Sequence, residues 1–89
     1  MEEDQIRILV IEDEKPIADI LEYGFKKEQF MVKSAYTGAD GLKAADDLAP
    51  HLVILDWMLP DLSGVDVCRM LTELYNIPII MLTAKVEDG

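Results

Sequence analysis

The 89-residue chain contains little cysteine and little positive charge. Its single cysteine, Cys68, excludes an internal disulfide and a cysteine-based zinc cluster, which is typical of a reducing compartment. Eight Lys and Arg residues stand against 18 Asp and Glu residues, so the net charge is −10. Because nucleic acids and anionic membranes are bound through clustered basic residues, we expect this segment to bind neither directly. A metal ion or a cationic ligand suits its charge better.

Long apolar runs are absent as well, and none approaches the roughly 18 residues that a membrane span requires. Met1 is followed by three acidic residues rather than by the basic and apolar segments of a signal peptide. We therefore expect a cytoplasmic protein with no membrane association. Hydrophobic residues make up 51% of the chain, enough to form one core, and the length leaves no room for a second.

Four short segments predict β-strands, at residues 8–11, 31–35, 52–55 and 79–82. Three of them are continuous apolar runs rich in Ile, Leu and Val, which are typical of strands buried on both faces of a parallel sheet. The segment 31–35 contains Lys33 and Ser34 and predicts an edge strand. The segments between the strands have helical periodicity, so the chain predicts an α/β fold, a doubly wound parallel sheet flanked by helices.

Each predicted helix has a recognisable start. Pro16 suits a first helical position, and Thr37 and Ser63 suit N-caps. The second helix is expected to stop before Pro50, and the third to end at Asn76 and Pro78. The side chains expected to face the core are Ile17, Ile20, Leu21 and Phe25 in the first helix, Leu42, Ala45 and Leu48 or Ala49 in the second, and Val67, Met70, Leu71 and Leu74 in the third.

Oxygen-bearing side chains follow three of the apolar runs. Glu12, Asp13 and Glu14 come after the first, Asp56 after the run 52–55, and Thr83 after the last. The carboxyl ends of parallel strands meet at one edge of the sheet, where open α/β folds bind their ligands. Crowded carboxylates repel one another unless a cation enters, and Mg²⁺ prefers such oxygen ligands. The sequence therefore predicts a Mg²⁺ site, with Asp56, alone after its strand, as a phosphoryl acceptor.

The segment after Asp56 has features that suit such a site. The carbonyl of Met58, two residues on, could complete the shell of the ion. Pro60 stiffens the segment, and Gly64 permits either a close backbone approach or an unusual φ.

Four other residues invite plainer interpretations. Glu14, Asp61 and the only histidine, His51, are each expected to be solvated loop residues. Cys68 is expected to be a small helix residue without a redox role.

The segment 53–64 reads Val-Ile-Leu-Asp-Trp-Met-Leu-Pro-Asp-Leu-Ser-Gly. Together with Glu12, Asp13 and the step from Thr83 to Ala84, it resembles the receiver domain of bacterial response regulators. The resemblance covers nearly the whole chain, and Asp-Trp-Met-Leu-Pro is most similar to the subfamily that carries a C-terminal winged-helix DNA-binding domain. It implies a flavodoxin-like fold with strand order 2-1-3-4-5.

The resemblance also implies a role for each residue of the site. Asp56 matches the phosphorylated aspartate and, like Asp13, a direct metal ligand. Glu12 matches a residue that holds a metal-bound water, and Met58 a residue that lends its carbonyl. Thr83 matches the switch hydroxyl that turns towards the phosphoryl group.

The function implied is a phosphoryl-accepting switch of a two-component system rather than an enzyme, one that at most assists its own phosphorylation and dephosphorylation. A sensor histidine kinase would supply the phosphoryl group, and the phosphorylated state would control dimerisation and transcription through a DNA-binding domain outside residues 1–89. The family's lysine ends a fifth strand, and neither Lys15 nor Lys85 matches it. We therefore expect residues 1–89 to be an incomplete receiver domain, truncated after the fourth strand, without the fifth strand, the fifth helix and any effector domain. We expect it to self-associate through its apolar last strand or to be only partly folded.

Other functions remain open at this point. A phosphatase with a nucleophilic aspartate would need an acidic residue two positions after it, where Met58 stands. A flavin or nucleotide carrier would need an anion cradle after the first strand, where three acidic residues would repel the ligand. A protein-interaction module on the same fold, never phosphorylated, is the remaining alternative.

Overall fold

The computed structural model describes residues 5–82, which form a parallel sheet with helices on both faces. All four strands pair in parallel in the order β2-β1-β3-β4. The predicted α/β fold is confirmed, and this order is the first four strands of the implied arrangement. The elements in chain order are β1 (Arg7–Ile11), α1 (Lys15–Lys27), β2 (Met31–Ala35), α2 (Gly38–Leu48), β3 (Leu52–Asp56), α3 (Gly64–Tyr75) and β4 (Ile79–Leu82).

The register of the sheet aligns the carboxyl ends of its strands. Ile11 of β1 pairs with Leu55 of β3, so the residues that follow each of them emerge side by side. The N–H of Glu12 donates to the carbonyl of Ala35 at 3.0 Å, which continues the pairing of β1 with β2 beyond the last strand residue. The predicted convergence at one edge of the sheet therefore holds for β1 and β3.

The core lies on both faces of the sheet. On one face, α2 and α3 cover the sheet through Ala44, Ala45, Val67 and Leu71. On the other face, α1 packs through Ala18. β2 and β4 are the outermost of the described strands, and Ile80 of β4 is 51% exposed, as expected of an apolar open edge. The buried strand residues, shared between the two faces, are Ile8, Leu9, Val10, Ile11, Ala35, Val53, Ile54 and Leu55.

Three side chains that were predicted to face the core are exposed: Ile20 (71%), Met70 (40%) and Leu74 (68%). In α1 the small residue Ala18 makes the closest approach to the sheet, and Ile20 lies about 200° further round the helix, on the opposite side. Leu74 shares a face with Val67, but it lies in the last turn of α3, where none of the described elements covers it. In these places the predicted core face is wrong.

The helix boundaries follow the predicted signals closely. Thr37 Oγ1 accepts a hydrogen bond from the N–H of Asp40 at 3.0 Å, and Ser63 Oγ accepts one from the N–H of Val65 at 3.1 Å. Both predicted N-caps are thereby confirmed. The first helix begins at Lys15, one residue before Pro16, and α3 ends at Tyr75, followed by the C-cap Asn76 with a left-handed φ of 55°.

The C-terminal end of α2 is held by Arg7 at the start of β1. The Arg7 guanidinium donates to the carbonyl of Leu48 at 2.9 Å through Nε and to that of Ala49 at 2.7 Å through Nη2. The backbone N–H of Arg7 donates to Nδ1 of His51 at 2.9 Å, so this exposed histidine has a structural partner beyond solvent. Within residues 5–82, no helix is both long and apolar enough to cross a membrane.

Candidate metal and phosphoryl site

Three of the predicted site residues, Glu12, Asp13 and Asp56, meet at the carboxyl edge of the sheet. Each offers a carboxylate oxygen, and these oxygens lie within 4.8 Å of one another. Glu12 is 1% exposed and Asp56 5%, whereas Asp13 is exposed to solvent. A half-open cluster of this kind allows a ligand to enter from the Asp13 side and reach buried oxygens.

Glu12 is incompletely satisfied by the protein. Its Oε2 accepts a hydrogen bond from the N–H of Glu14 at 3.0 Å, but its buried Oε1 has no hydrogen-bond partner among the described residues. Burial raises the pKa of Glu12 to about 7, the Glu14 hydrogen bond opposes this rise, and the charges of Asp56 and Asp13 add to it. A buried acceptor without a donor, beside two other carboxylates, is an environment that a cation would stabilise.

Asp56 is the last residue of β3, a strand with neighbours on both sides. Burial raises the pKa of Asp56, and the nearby carboxylate of Asp13 raises it further. A hydrogen bond with the backbone of Met58 has the opposite effect and favours the charged form. The segment that follows Asp56 therefore partly offsets the effect of burial on its pKa.

Glu12, Asp13 and Asp56 fit a hard divalent cation. All three offer carboxylate oxygens, which Mg²⁺ and Ca²⁺ prefer over nitrogen or sulfur donors. Burial, together with the neighbouring carboxylates, raises the pKa values of Glu12 and Asp56, and Oε1 of Glu12 has no partner among the described residues; a bound cation would offset all three effects. Mg²⁺ binds through few protein oxygens and retains waters that phosphate oxygens can replace. A cluster of three carboxylates that is open to solvent on one side therefore suits Mg²⁺.

The loop of residues 57–63, here called the β3–α3 loop, carries Met58. Met58 and Ser63 form an isolated antiparallel bridge, and the N–H of Gly64 donates to the carbonyl of Trp57 at 3.0 Å. A Cβ at Gly64 would lie 2.5 Å from the carbonyl oxygen of Asp56. Of the two roles predicted for Gly64, the structure therefore has the close backbone approach, without a left-handed φ. The side chain of Met58 is 66% exposed.

One residue of this loop makes contacts that were not predicted. Asp61 was expected to be a solvated loop charge, and that prediction is wrong. Although exposed, its carboxylate accepts hydrogen bonds from the N–H groups of Gly38 and Ala39, and these bonds lower its pKa. Its partners lie 22 and 23 residues away in the chain, so no local sequence signal identifies them.

The remaining predictions have mixed outcomes. Glu14 is exposed and makes no side-chain capping bond, in agreement with a solvated charge. Cys68 is a partly buried helix residue with a free thiol, as expected. The prediction for Thr83 and the Thr83–Ala84 step of the resemblance lie outside the described residues 5–82.

The fold and this edge of the sheet together define an α/β protein with an acidic site at the carboxyl edge of a parallel sheet. The response regulator receiver domain family matches residues 8–89, and the chain belongs to this family. Receiver domains are signalling switches rather than classical enzymes, and they bind Mg²⁺ at an acidic site.

Solved structures of the same family superpose closely on the chain. A CheY-like receiver domain protein from Methanospirillum hungatei has a TM-score of 0.89 and 26% identity, over 96% of this chain and 69% of that one. The response regulator TrrA from Thermotoga maritima, solved in complex with Mg²⁺-BeF, has a TM-score of 0.85 and 33% identity, over 91% of this chain and 71% of that one. DrrB, an OmpR/PhoB homolog from Thermotoga maritima, has a TM-score of 0.82 and 36% identity, over 94% of this chain and 38% of that one.

Proposed function

We propose that the chain is the phosphoryl-accepting part of a two-component response regulator, in which Asp56 takes a phosphoryl group from a sensor histidine kinase. The observation that carries this proposal is the buried position of Asp56 beside Glu12 and Asp13 at the carboxyl edge of the sheet. An enzyme with a nucleophilic aspartate would need an acid two residues further on, and that position is Met58.

The residues that would hold Mg²⁺ are Asp13 and Asp56 directly, Glu12 through a water, and Met58 through its backbone carbonyl. The unpartnered Oε1 of Glu12 and the raised pKa values of Glu12 and Asp56 support this assignment, since burial and the neighbouring carboxylates disfavour the charged forms that a cation would stabilise. When bound, Mg²⁺ supplies the charge that offsets repulsion between the acidic edge and an incoming phosphoryl group.

Asp56 supplies the oxygen nucleophile. Its carboxylate oxygen forms a bond to phosphorus while the bond from phosphorus to the imidazole nitrogen of the kinase breaks, and the imidazole keeps the electron pair. The backbone of Met58 lowers the pKa of Asp56 and so favours the charged, nucleophilic form of this carboxylate. Thr83 is the proposed switch hydroxyl, which would bond the phosphoryl group and bias a two-state equilibrium. The domain itself would assist the later loss of this group to water.

The output proposed for the whole regulator is control of dimerisation and transcription in the cytoplasm. The similarity to the OmpR/PhoB homolog DrrB supports a winged-helix DNA-binding domain beyond residues 1–89, and the net charge of −10 argues against direct DNA binding by this segment. β4, with Ile80 exposed at the sheet edge, supports self-association of residues 1–89, which sedimentation at increasing protein concentration would reveal.

The phosphorylation proposal is tested by intact-mass measurement. Incubation with a small phosphodonor and Mg²⁺ should add one phosphoryl group to the protein, and Asp56→Asn should add none. Asp47→Asn, which changes an exposed carboxylate of α2, is the matched control and should be modified like the wild type. Undiminished uptake by Asp56→Asn would refute the acceptor assignment. Failure of the folded wild type to be modified would favour the alternative of an interaction module that is never phosphorylated.

A further inference from the structure

Asp61 connects the β3–α3 loop to the first turn of α2. Its Oδ1 accepts a hydrogen bond from the N–H of Gly38 at 2.7 Å, and its Oδ2 accepts one from the N–H of Ala39 at 2.9 Å. Both oxygens are therefore engaged by successive donors at a helix N-terminus, where a negative charge is also favoured by the helix dipole. An exposed side chain held by two such bonds is a fixed connection and not a freely solvated charge.

These bonds complete the capping of α2. Thr37 satisfies the N–H of Asp40 through its side chain, and Asp61 satisfies the two N–H groups before it. Two separate residues thus accept the hydrogen bonds of the three backbone N–H groups in the first turn of α2. Thr37 belongs to the chain just before α2, whereas Asp61 belongs to the loop that follows the proposed phosphoryl acceptor. Only the second connection links α2 to the site.

The contact between this loop and α2 is close. A Cβ at Gly38 would lie 2.9 Å from Cβ and from Cδ1 of Leu62, the residue next to Asp61. The same loop contains Met58, two residues after Asp56, whose carbonyl is a proposed Mg²⁺ ligand. The position of the Met58 backbone therefore depends on a loop that is attached to β3, to α3 and, through Asp61, to α2.

The start of α2 is itself fixed relative to the other half of the site. The carbonyl of Ala35, at the end of β2, accepts a hydrogen bond from the N–H of Glu12 at 3.0 Å. Only two residues separate Ala35 from Gly38, the first residue of α2. The junction between β2 and α2 is therefore bonded to the backbone of Glu12 at one end and to the side chain of Asp61 at the other.

We propose that Asp61 is a positioning residue for the acidic site: by bonding Gly38 and Ala39 it holds the β3–α3 loop, and with it the Met58 backbone, at the distance that Mg²⁺ binding requires. The inference rests on the proposed function, since it assumes that Asp56, its neighbours and the Met58 carbonyl bind Mg²⁺. Loss of Asp61 would remove no ligand. It would loosen the loop that carries one.

The test measures the rate of phosphorylation by a small phosphodonor as a function of Mg²⁺ concentration. For Asp61→Ala the Mg²⁺ concentration at half-maximal rate should rise about tenfold, the lower end of the effect seen when groups that orient metal ligands are removed. The rate at saturating Mg²⁺ should stay close to that of the wild type. Asp61→Asn keeps one acceptor oxygen, so its Mg²⁺ concentration at half-maximal rate should lie between those of the wild type and Asp61→Ala.

Two control variants separate positioning from helix stability and from charge. Thr37→Ala removes the other capping bond of the same helix end, and Asp40→Asn removes one negative charge from its first turn. Both should keep the wild-type Mg²⁺ midpoint, even though Thr37→Ala lowers thermal stability.

The outcomes are distinguishable. If Asp61→Asn and Asp61→Ala have the Mg²⁺ midpoint of Thr37→Ala, the positioning role of Asp61 is overturned while the proposed function stands. If circular dichroism shows that Asp61→Ala does not fold, Asp61→Asn is the test: an Mg²⁺ midpoint above that of the wild type supports the positioning role, and an unchanged midpoint overturns it. A folded wild type that is not phosphorylated in a Mg²⁺-dependent manner would overturn the proposed function and this inference together.

Discussion

Replacement of Gly64 by alanine tests how closely α3 approaches the backbone of the phosphoryl acceptor. An added Cβ would lie 2.5 Å from the carbonyl oxygen of Asp56 and 2.6 Å from that of Trp57. Both atoms belong to the backbone, so no flexible side chain can yield. Real Cβ atoms essentially never come closer than 3.0 Å to such atoms. The end of β3 and the start of α3 would therefore have to move apart by at least 0.5 Å.

The expected magnitude is a balance of two effects. Alanine is better than glycine in an open helical position by up to about 1 kcal/mol. An extra methyl group in a closely packed place costs about 1 to 3 kcal/mol. Since the contacts here are with rigid backbone, we expect Gly64→Ala to lower the free energy of unfolding by about 1 to 2 kcal/mol, which corresponds to a fall in Tm of roughly 4 to 16 °C for a domain of this size.

Gly24→Ala is the matched control. Gly24 lies in the exposed part of α1, and an added Cβ there would meet no atom within 4 Å. Only the helix preference remains, so this variant should be more stable than the wild type by about 0.5 to 1 kcal/mol. Thermal unfolding followed by circular dichroism compares the three proteins. A Gly64→Ala protein as stable as Gly24→Ala would refute the close approach.

Two further predictions concern the core and the acidic site. Leu71 is fully buried, whereas Leu74 on the same helix is 68% exposed. Leu71→Ala should therefore lower the free energy of unfolding, measured in urea, by about 2 to 5 kcal/mol, and Leu74→Ala by less than about 0.5 kcal/mol. Equal losses would contradict the observed burial. With divalent ions chelated, folded Glu12 keeps its proton up to about pH 7, whereas an unfolded glutamate loses it near 4.5, so stability should fall as pH rises through this window. Glu12→Gln should flatten this decline, and an unchanged decline would refute the pKa assignment.

The strands could be predicted because burial on both faces leaves a clear signature in the sequence. The runs in β1 and β3 are apolar without alternation, and both are buried between helices on two sides. Lys33 and Ser34 likewise identified β2 as an edge strand. Local chemistry sufficed for the caps of α2 and α3 too, since Thr37 and Ser63 bond N–H groups only two or three residues away. The convergence of Glu12 and Asp56 followed from the parallel sheet alone.

The exposed helix faces and the role of Asp61 could not be predicted, because both depend on neighbours that are distant in sequence. Helical spacing identifies an apolar stripe, but whether Leu74 is buried depends on what packs over the last turn of α3. Ala18 shows a related limitation, since a small side chain marks the closest approach of α1 to the sheet while the larger Ile20 points away. The partners of Asp61 are brought to it by the packing of α2 against the β3–α3 loop.

α2 is fastened at both ends by side chains of opposite charge. Arg7 binds its final carbonyls and Asp61 its initial N–H groups, each with the sign that complements that pole of the helix. A helix tethered in this way cannot slide lengthwise by one turn, about 5.4 Å, unless one tether breaks. Movement of α2 is therefore restricted to small tilts. A shift of α2 along its own axis would require the hydrogen bonds of either Arg7 or Asp61 to break.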